Sequence, residues 1–219
     1  MSKTMIKPGP DLLQRVTQAF LDYGYSGLSM VTMAKACGFT QRALYYYFSN
    51  KEDAFRAMVR FRNDEAMELA REAGKAVRAK GGSALDIIAE ILDVRYGNTR
   101  RRVSRSPHIV ELNAEAFKRC RDDMIQSAVA FQAELEELVV DLENSRMLQL
   151  SGHVTAAEIA QALADSGRAV NQALPPVAEE DYSARYRRMC AMVLYGCATM
   201  PKVKISKPKT SKRKTPKRK

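Results

Sequence analysis

The sequence predicts an all-α protein of about nine helices, split between a small N-terminal unit and a larger C-terminal one. Three observations point that way. Apolar residues recur at spacings of three and four from Leu13 to Cys197, laying an apolar stripe along each segment. Capping residues precede most of these stripes and Gly or Pro follows them. No useful length alternates with period two, and no repeat of about 20–50 residues appears.

Pro8-Gly9-Pro10 ends any earlier structure, and Asp11 is placed to cap a first helix whose Leu13, Val16, Phe20 and Tyr23 form one face and which Gly24 ends. Ser29 caps a second helix with Met30, Met33, Ala34 and Cys37 inward. Gly38 turns the backbone, Phe39 plugs the angle, and Thr40 caps a third helix from Gln41 to about Phe48. Ser49 with Glu52 makes a capping box for a long connector running to about Lys80, before Gly81-Gly82. Ser83 with Asp86 opens a helix to about Val103, weakened in its last third by Gly97-Asn98. Pro107 suits the start of a short helix, and a longer one runs from Arg121 or Asp122 to near Ser145. Thr155 with Glu158 caps a helix that Pro175-Pro176 stops after Leu174, and the last spans about Asp181 to Thr199.

The chain has 219 residues, 46% apolar and 28% charged, enough for a sizeable core. Its net charge of +11 sits mostly in residues 201–219, which hold ten Lys/Arg and no Asp or Glu. The rest is nearly neutral. That tail, rich in Lys, Pro, Ser and Thr, has almost nothing to bury and is expected to be disordered when free. Cys37, Cys120, Cys190 and Cys197 form no CxxC pair, which fits a reducing compartment. Lys3 and Lys7 are not followed by the apolar run of a signal peptide, and Met189 to Met200 is shorter than the ~20 residues of a membrane span. A cytoplasmic protein with no membrane partner is expected.

Residues 29–51 carry the chemistry. Ala34, Gly38, Ala43 and Leu44 are small or apolar where two short helices must touch, as in a helix-turn-helix. Gln41 and Arg42, in the first turn of the third helix, suit bidentate contacts to adenine and guanine. Tyr45, Tyr46 and Tyr47 are ~100° apart on a helix, so at least one is exposed. Ser29, Thr40, Tyr45 and Lys51 have the chemistry of phosphate contacts, although the hydroxyls also serve as caps and the tyrosines as packing.

Gly24-Tyr25, Ser29-Met30, Met33-Ala34, Cys37-Gly38-Phe39-Thr40, Ala43 to Phe48 and Ser49-Asn50-Lys51-Glu52, in this order without a gap, resemble the N-terminal domain of the tetracycline-repressor (TetR) family of bacterial regulators. The resemblance covers roughly residues 11–60; beyond them only helix number and length are similar. It implies a homodimer whose recognition helices enter successive major grooves of a palindromic double-stranded DNA operator, released by a small-molecule effector. By position it implies Thr40, Gln41, Arg42 and Tyr46 at or near bases, and Ser29, Tyr45 and Lys51 at phosphates. Tyr47 stands where the family commonly has histidine, and Val31 where a polar or basic residue is frequent.

The expected organisation is an arm over residues 1–10, a helix-turn-helix domain over 11–54, a helical ligand-binding and dimerisation domain over 55–200, and the tail. A ligand pocket is expected among the helices between Ser83 and Leu174, with Arg95, Tyr96, His108, Glu111, Asn113 and Asn171 as candidate polar contacts. Arg100, Arg101, Arg102 and Arg105 form a basic cluster that suits an acidic ligand, although a solvated helix end is the default reading. The dimer interface is expected on the last two helices, with Arg168, Gln172, Tyr186, Met189, Cys190, Val193 and Cys197. His108 and His153 lack a metal-ligand pattern, no nucleophile–base set appears, and neither cofactor nor enzymatic activity is expected. A second reading is an architectural protein that binds DNA largely without sequence preference through its tail.

Overall fold

The computed structural model describes residues 6–196, and among them all regular structure is helical. The order is α1 (Pro10–Gly27), α2 (Met30–Ala36), α3 (Gln41–Leu44), α4 (Lys51–Ala79), α5 (Ala84–Leu92), a π-helical segment (Asp93–Asn98), α6 (Thr99–Val103), α7 (Ile109–Arg119), α8 (Arg121–Asn144), α9 (Ala156–Asn171), a 3₁₀ turn (Glu179–Asp181) and α10 (Tyr182–Tyr195). Cys197 and the basic tail lie outside the described residues.

Local chemistry sets most boundaries. Ser83/Asp86 and Thr155/Glu158 form the two capping boxes their spacing predicts. The Ser29 and Thr40 side chains accept from the amides of Thr32 and Ala43, each at 3.1 Å. Other starts shift by a residue. Pro10 begins α1, with Gly9 at the cap position, so Asp11 is already in the first turn. Asn50, not Ser49, caps α4 by accepting from the Asp53 amide at 2.8 Å, and the Asp53 carboxylate accepts from the Ser49 amide in return. The helix expected to continue to Val103 instead passes through the π segment, which contains Gly97-Asn98.

The helix expected from Gln41 to Phe48 ends at Leu44. Past that point the Tyr46 and Tyr47 amides donate only three residues back, to the Ala43 and Leu44 carbonyls. This tightening relieves the crowding of successive aromatic side chains against the preceding helical turn and swings Phe48 into the core.

Two apolar clusters share one helix. The head core is built from Leu12, Val16, Phe20, Met33, Leu44 and Phe48 with Phe55 and Met58 of α4, and it also takes Leu112 and Cys120 from α7 and its end. The body core joins α5, α8, α9 and α10 around Ala70 of the same α4. With 29 residues, α4 is about 44 Å long and ties the two together.

Candidate nucleic-acid interface

The α2–α3 unit is held from behind. Gly38 takes φ 72°, a left-handed conformation that suits glycine, and the Gly38 and Phe39 amides return to the Lys35 and Ala34 carbonyls. Arg15 of α1 reaches the Cys37 carbonyl at 3.1 Å and satisfies the end of α2. Met33, Ala34, Cys37 and Leu44 are buried, while the Phe39 ring meets Tyr47 edge-on at 5.9 Å. Tyr47 is thereby a packing residue, placed where the family resemblance puts a histidine.

The opposite face is open. Thr40, Gln41, Arg42 and Ser29 are exposed, Tyr46 is 37% exposed, and Tyr45 is half-buried. Thr40, Gln41 and Arg42 stand together at the start of α3, and Tyr46 lies on the turn that follows. Ser29 is the cap of α2, on the same unit. Val31, 45% exposed, leaves an apolar spot on this surface.

Lys51 is more constrained than its sequence position suggests. Its ammonium donates to the Tyr25 carbonyl at 2.7 Å and lies 4.5 Å from the centre of the Tyr25 ring. The lysine thus holds the end of α1 against the start of α4. A second feature, invisible to periodicity, is the backbone bond from the Ile6 amide to the Tyr46 carbonyl at 2.9 Å, which lays the segment before α1 along the turn after α3.

The candidate pocket residues are scattered. His108 and Glu111 belong to the junction between head and body: Glu111 accepts from the Ser26 amide at 2.7 Å, and Ser106 donates to the Leu21 carbonyl at 2.6 Å. Gly24 makes this approach possible, since its φ is 70° and a Cβ there would lie 2.4 Å from Glu111 Oε2 and 2.8 Å from His108 Nδ1. Asn113 is exposed on α7. Asn171 accepts from the Tyr186 hydroxyl at 2.8 Å, a structural bond at the end of α9. Arg95 and Tyr96 lie in the π segment, and Arg95 is buried. The basic cluster is not simply solvated: Arg100 donates to the Tyr182 hydroxyl, Arg101 pairs with Asp93, and Arg102 with Glu65.

A groove of about 310 Å³ opens instead between α4, α5 and α8, over Met67, Ala70, Ile87, Ile91, Phe131 and Leu138. None of the six candidate polar residues lines it. Its lining combines these apolar residues with Arg71, Lys75, Arg78, Glu134, Glu137 and Asp141, from segments far apart in sequence.

The interface candidates divide similarly. Tyr186 and Cys190 are fully buried in the core of their own chain, so they offer no surface to a partner. Met189 and Val193 pack against that core, Gln172 is exposed, and Arg168 pairs with Asp165. Arg185, Arg188, Met192 and Tyr195 form the outward face of α10. Burial pushes the Cys190 thiol up to about 12 and the Cys120 thiol to about 11, which suits packing residues rather than reactive ones.

The junction yields a pH prediction. Hydrogen bonds from Ser26 hold the Glu111 carboxyl below its ordinary value of 4.5. A group depressed on folding stabilises above its unfolded pKa and loses that contribution as the pH falls through the folded one. The protection of the Ser26 amide against hydrogen exchange should therefore drop on acidification below 4.5, and in Glu111→Ala it should be absent at neutral pH. Unchanged protection in that variant would remove Glu111 from the junction.

Residues 12–58 match the family of bacterial regulatory proteins, tetR family. Solved structures share the fold over most of their length. A TetR-family transcriptional regulator from Rhodococcus sp. is 20% identical, with 84% of this chain and 96% of that one covered at a TM-score of 0.63. A regulator of the TetR/AcrR family from Thermobifida fusca is 20% identical over 86% and 97%, at 0.60. The fatty acid degradation regulator FadR of Bacillus halodurans is 15% identical over 87% and 98%, at 0.59. No curated protein matches the chain in sequence.

Proposed function

We propose, from the premise that this chain carries the N-terminal domain of the TetR-family bacterial regulators within a TetR-like fold, that it is a sequence-specific DNA-binding regulator acting as an effector-released homodimeric repressor. The observation that carries the reading is the exposed group of Thr40, Gln41, Arg42 and Tyr46 on a short helix and turn whose other side is closed by buried Leu44 and Phe48. Gln41 and Arg42 read base edges; Thr40 and Tyr46 lie at bases or the adjoining backbone. Ser29, Tyr45 and Lys51 hold phosphates and set the register. Lys51 does this while fixed to Tyr25, so its ammonium is already positioned before DNA arrives.

The second copy docks through α9 and the outward face of α10, with Gln172, Met192 and Tyr195 among its contacts. Two heads then meet half-sites about 34–36 Å apart. The effector acts by binding more tightly to an arrangement of the heads that misses this spacing. The long α4 and the Glu111–Ser26 junction are the elements that link body to head.

Selection from random duplexes with the full chain tests the reading. A two-fold symmetric site is expected; enrichment of a single half-site removes the dimer, and no enrichment removes the operator. The same experiment decides the architectural reading, which the ten Lys/Arg of residues 201–219 favour. Deleting 201–219 should lower affinity and make its salt dependence shallower, by up to about 0.9 in slope per lost phosphate contact, with the selected sequence unchanged. Loss of sequence preference with the tail would replace the operator reading by the architectural one.

A further inference from the structure

Arg95 is a buried cation without a counter-charge. It is 7% exposed, and its Nη2 donates to Ser127 Oγ at 2.9 Å. Its Nε is buried with no hydrogen-bond partner among the described residues. The guanidinium lies 5.5 Å from the ring centres of both Tyr96 and Phe131. Glu134 and Asp64 act on it only at a distance, and Glu134 is taken by Arg71 at 2.9 Å. Leaving a buried charge unpaired is strongly unfavourable. Aromatic faces and one hydroxyl offset only part of that.

A second spare donor is close by. Arg168 of α9 gives Nη2 to Asp165, while its Nη1 is buried without a partner among the described residues. Its charge is felt at Arg95, and it also bonds to the Tyr96 hydroxyl, so its Nη1 is the one donor left over among the described residues. Gly167 beside it lets the Tyr96 ring lie against α9: a Cβ there would be 2.6 Å from the ring. All this occurs at the π-helical segment, a distortion that frequently marks functional sites.

This cationic spot adjoins the apolar groove. Helices α4 and α8 run parallel, as the pairs Arg60–Asp123, Arg71–Glu134 and Arg78–Asp141 show. Ser127, which holds Arg95, is one turn before Phe131, where the groove begins. Arg95 therefore sits at the end of the groove nearer the head, with Phe131 shared between them. The groove's stretch along α8, from Phe131 to Asp141, is about 15 Å long.

We propose that this site binds an amphipathic carboxylate, its anion held by Arg95 and Arg168 and its apolar chain lying between α4 and α8. The inference rests on the effector-responsive part of the function proposed above and gives that effector a chemical class. A carboxylate supplies the acceptors that Arg95 Nε and Arg168 Nη1 lack, in charge-assisted bonds stronger than neutral ones. Phe131 lines the groove, and its ring centre lies 5.5 Å from the Arg95 guanidinium, so this ring stands at the boundary between the two. Because Ser127, which holds Arg95, lies one helical turn from Asp123, which pairs with Arg56 and Arg60 below the head, anion binding is felt where α4 and α8 approach the DNA-binding unit.

Calorimetric titration of the full chain with octanoate, decanoate and dodecanoate, each against the matching primary alcohol, tests this. Carboxylates should bind at least about tenfold more tightly than alcohols. Arg95→Met should abolish that preference, keep alcohol binding, and leave the melting temperature unchanged or higher, since an unpaired buried charge is replaced by an apolar chain. Arg168→Gln, at a half-buried position, should remove a smaller part of the preference. The proposal is overturned if no carboxylate binds, or if the preference survives in both variants. Anisotropy of a selected duplex, read in the same titration, separates the two readings. Carboxylate binding without DNA release upholds the site and removes release by this ligand; sequence-specific DNA binding with no carboxylate binding removes the site and upholds the DNA-binding reading.

Discussion

Arg42→Ala should leave the fold intact and cost about 1–3 kcal/mol of discrimination at one base pair, roughly 5- to 150-fold. Arg42 is exposed at the second position of α3, so its truncation leaves no cavity. The Thr40 cap bonds to the Ala43 amide and not to Arg42, so the start of α3 survives as well. The lost energy should then appear as relaxed preference rather than instability. Lys51→Met is the matched control: it keeps an apolar stem over the Tyr25 ring but removes the ammonium from the Tyr25 carbonyl. It should weaken preferred and random duplexes about equally and lower the salt slope by about one phosphate contact. Selection on random duplexes with both variants is the measurement. Equal losses on preferred and random DNA in Arg42→Ala would take Arg42 away from the bases.

The helix caps were legible in the sequence because they depend on near neighbours. Ser29, Thr40, Ser83 and Thr155 each cap a helix three residues ahead, and a three-residue spacing is visible in the chain. At the start of α4 the expected pair of Ser49 with Glu52 does not form, and Asn50 accepts from the Asp53 amide instead, one residue further on. Periodicity shows that a helix has an apolar face but not what covers it. Tyr186 and Cys190 share such a face, and its cover is the body core of the same chain rather than a partner. The groove was hidden for a related reason. Its walls are apolar residues of α4, α5 and α8 edged by charged ones such as Arg71 and Glu134, which are 63 positions apart in sequence. The sequence marks Arg95 as polar but does not show its burial, the property that gives it a role.

The second large effect is expected at the seam between head and body. Phe55 is fully buried on α4, with Phe20 and Tyr25 edge-on to it, each at 5.0 Å. Truncation to alanine removes this aromatic contact and leaves a cavity, at a cost of about 3–5 kcal/mol. That is a large share of the stability of a small domain. The loss should fall unequally on the molecule, because the body core around Leu135, Leu163 and Tyr186 contains no head residue. Heating Phe55→Ala should therefore give two transitions, an early one in the head and a later one close to that of the parent chain. DNA binding should disappear at the first. Carboxylate binding, if seated between α4 and α8, should persist to the second. Phe55→Leu, which fills most of the volume, should sit between the parent and the alanine variant. A single cooperative transition, lowered as a whole, would mean that α4 couples the two cores into one unit. The head would then move with the body and not against it, and effector release would have to act through dimer geometry alone.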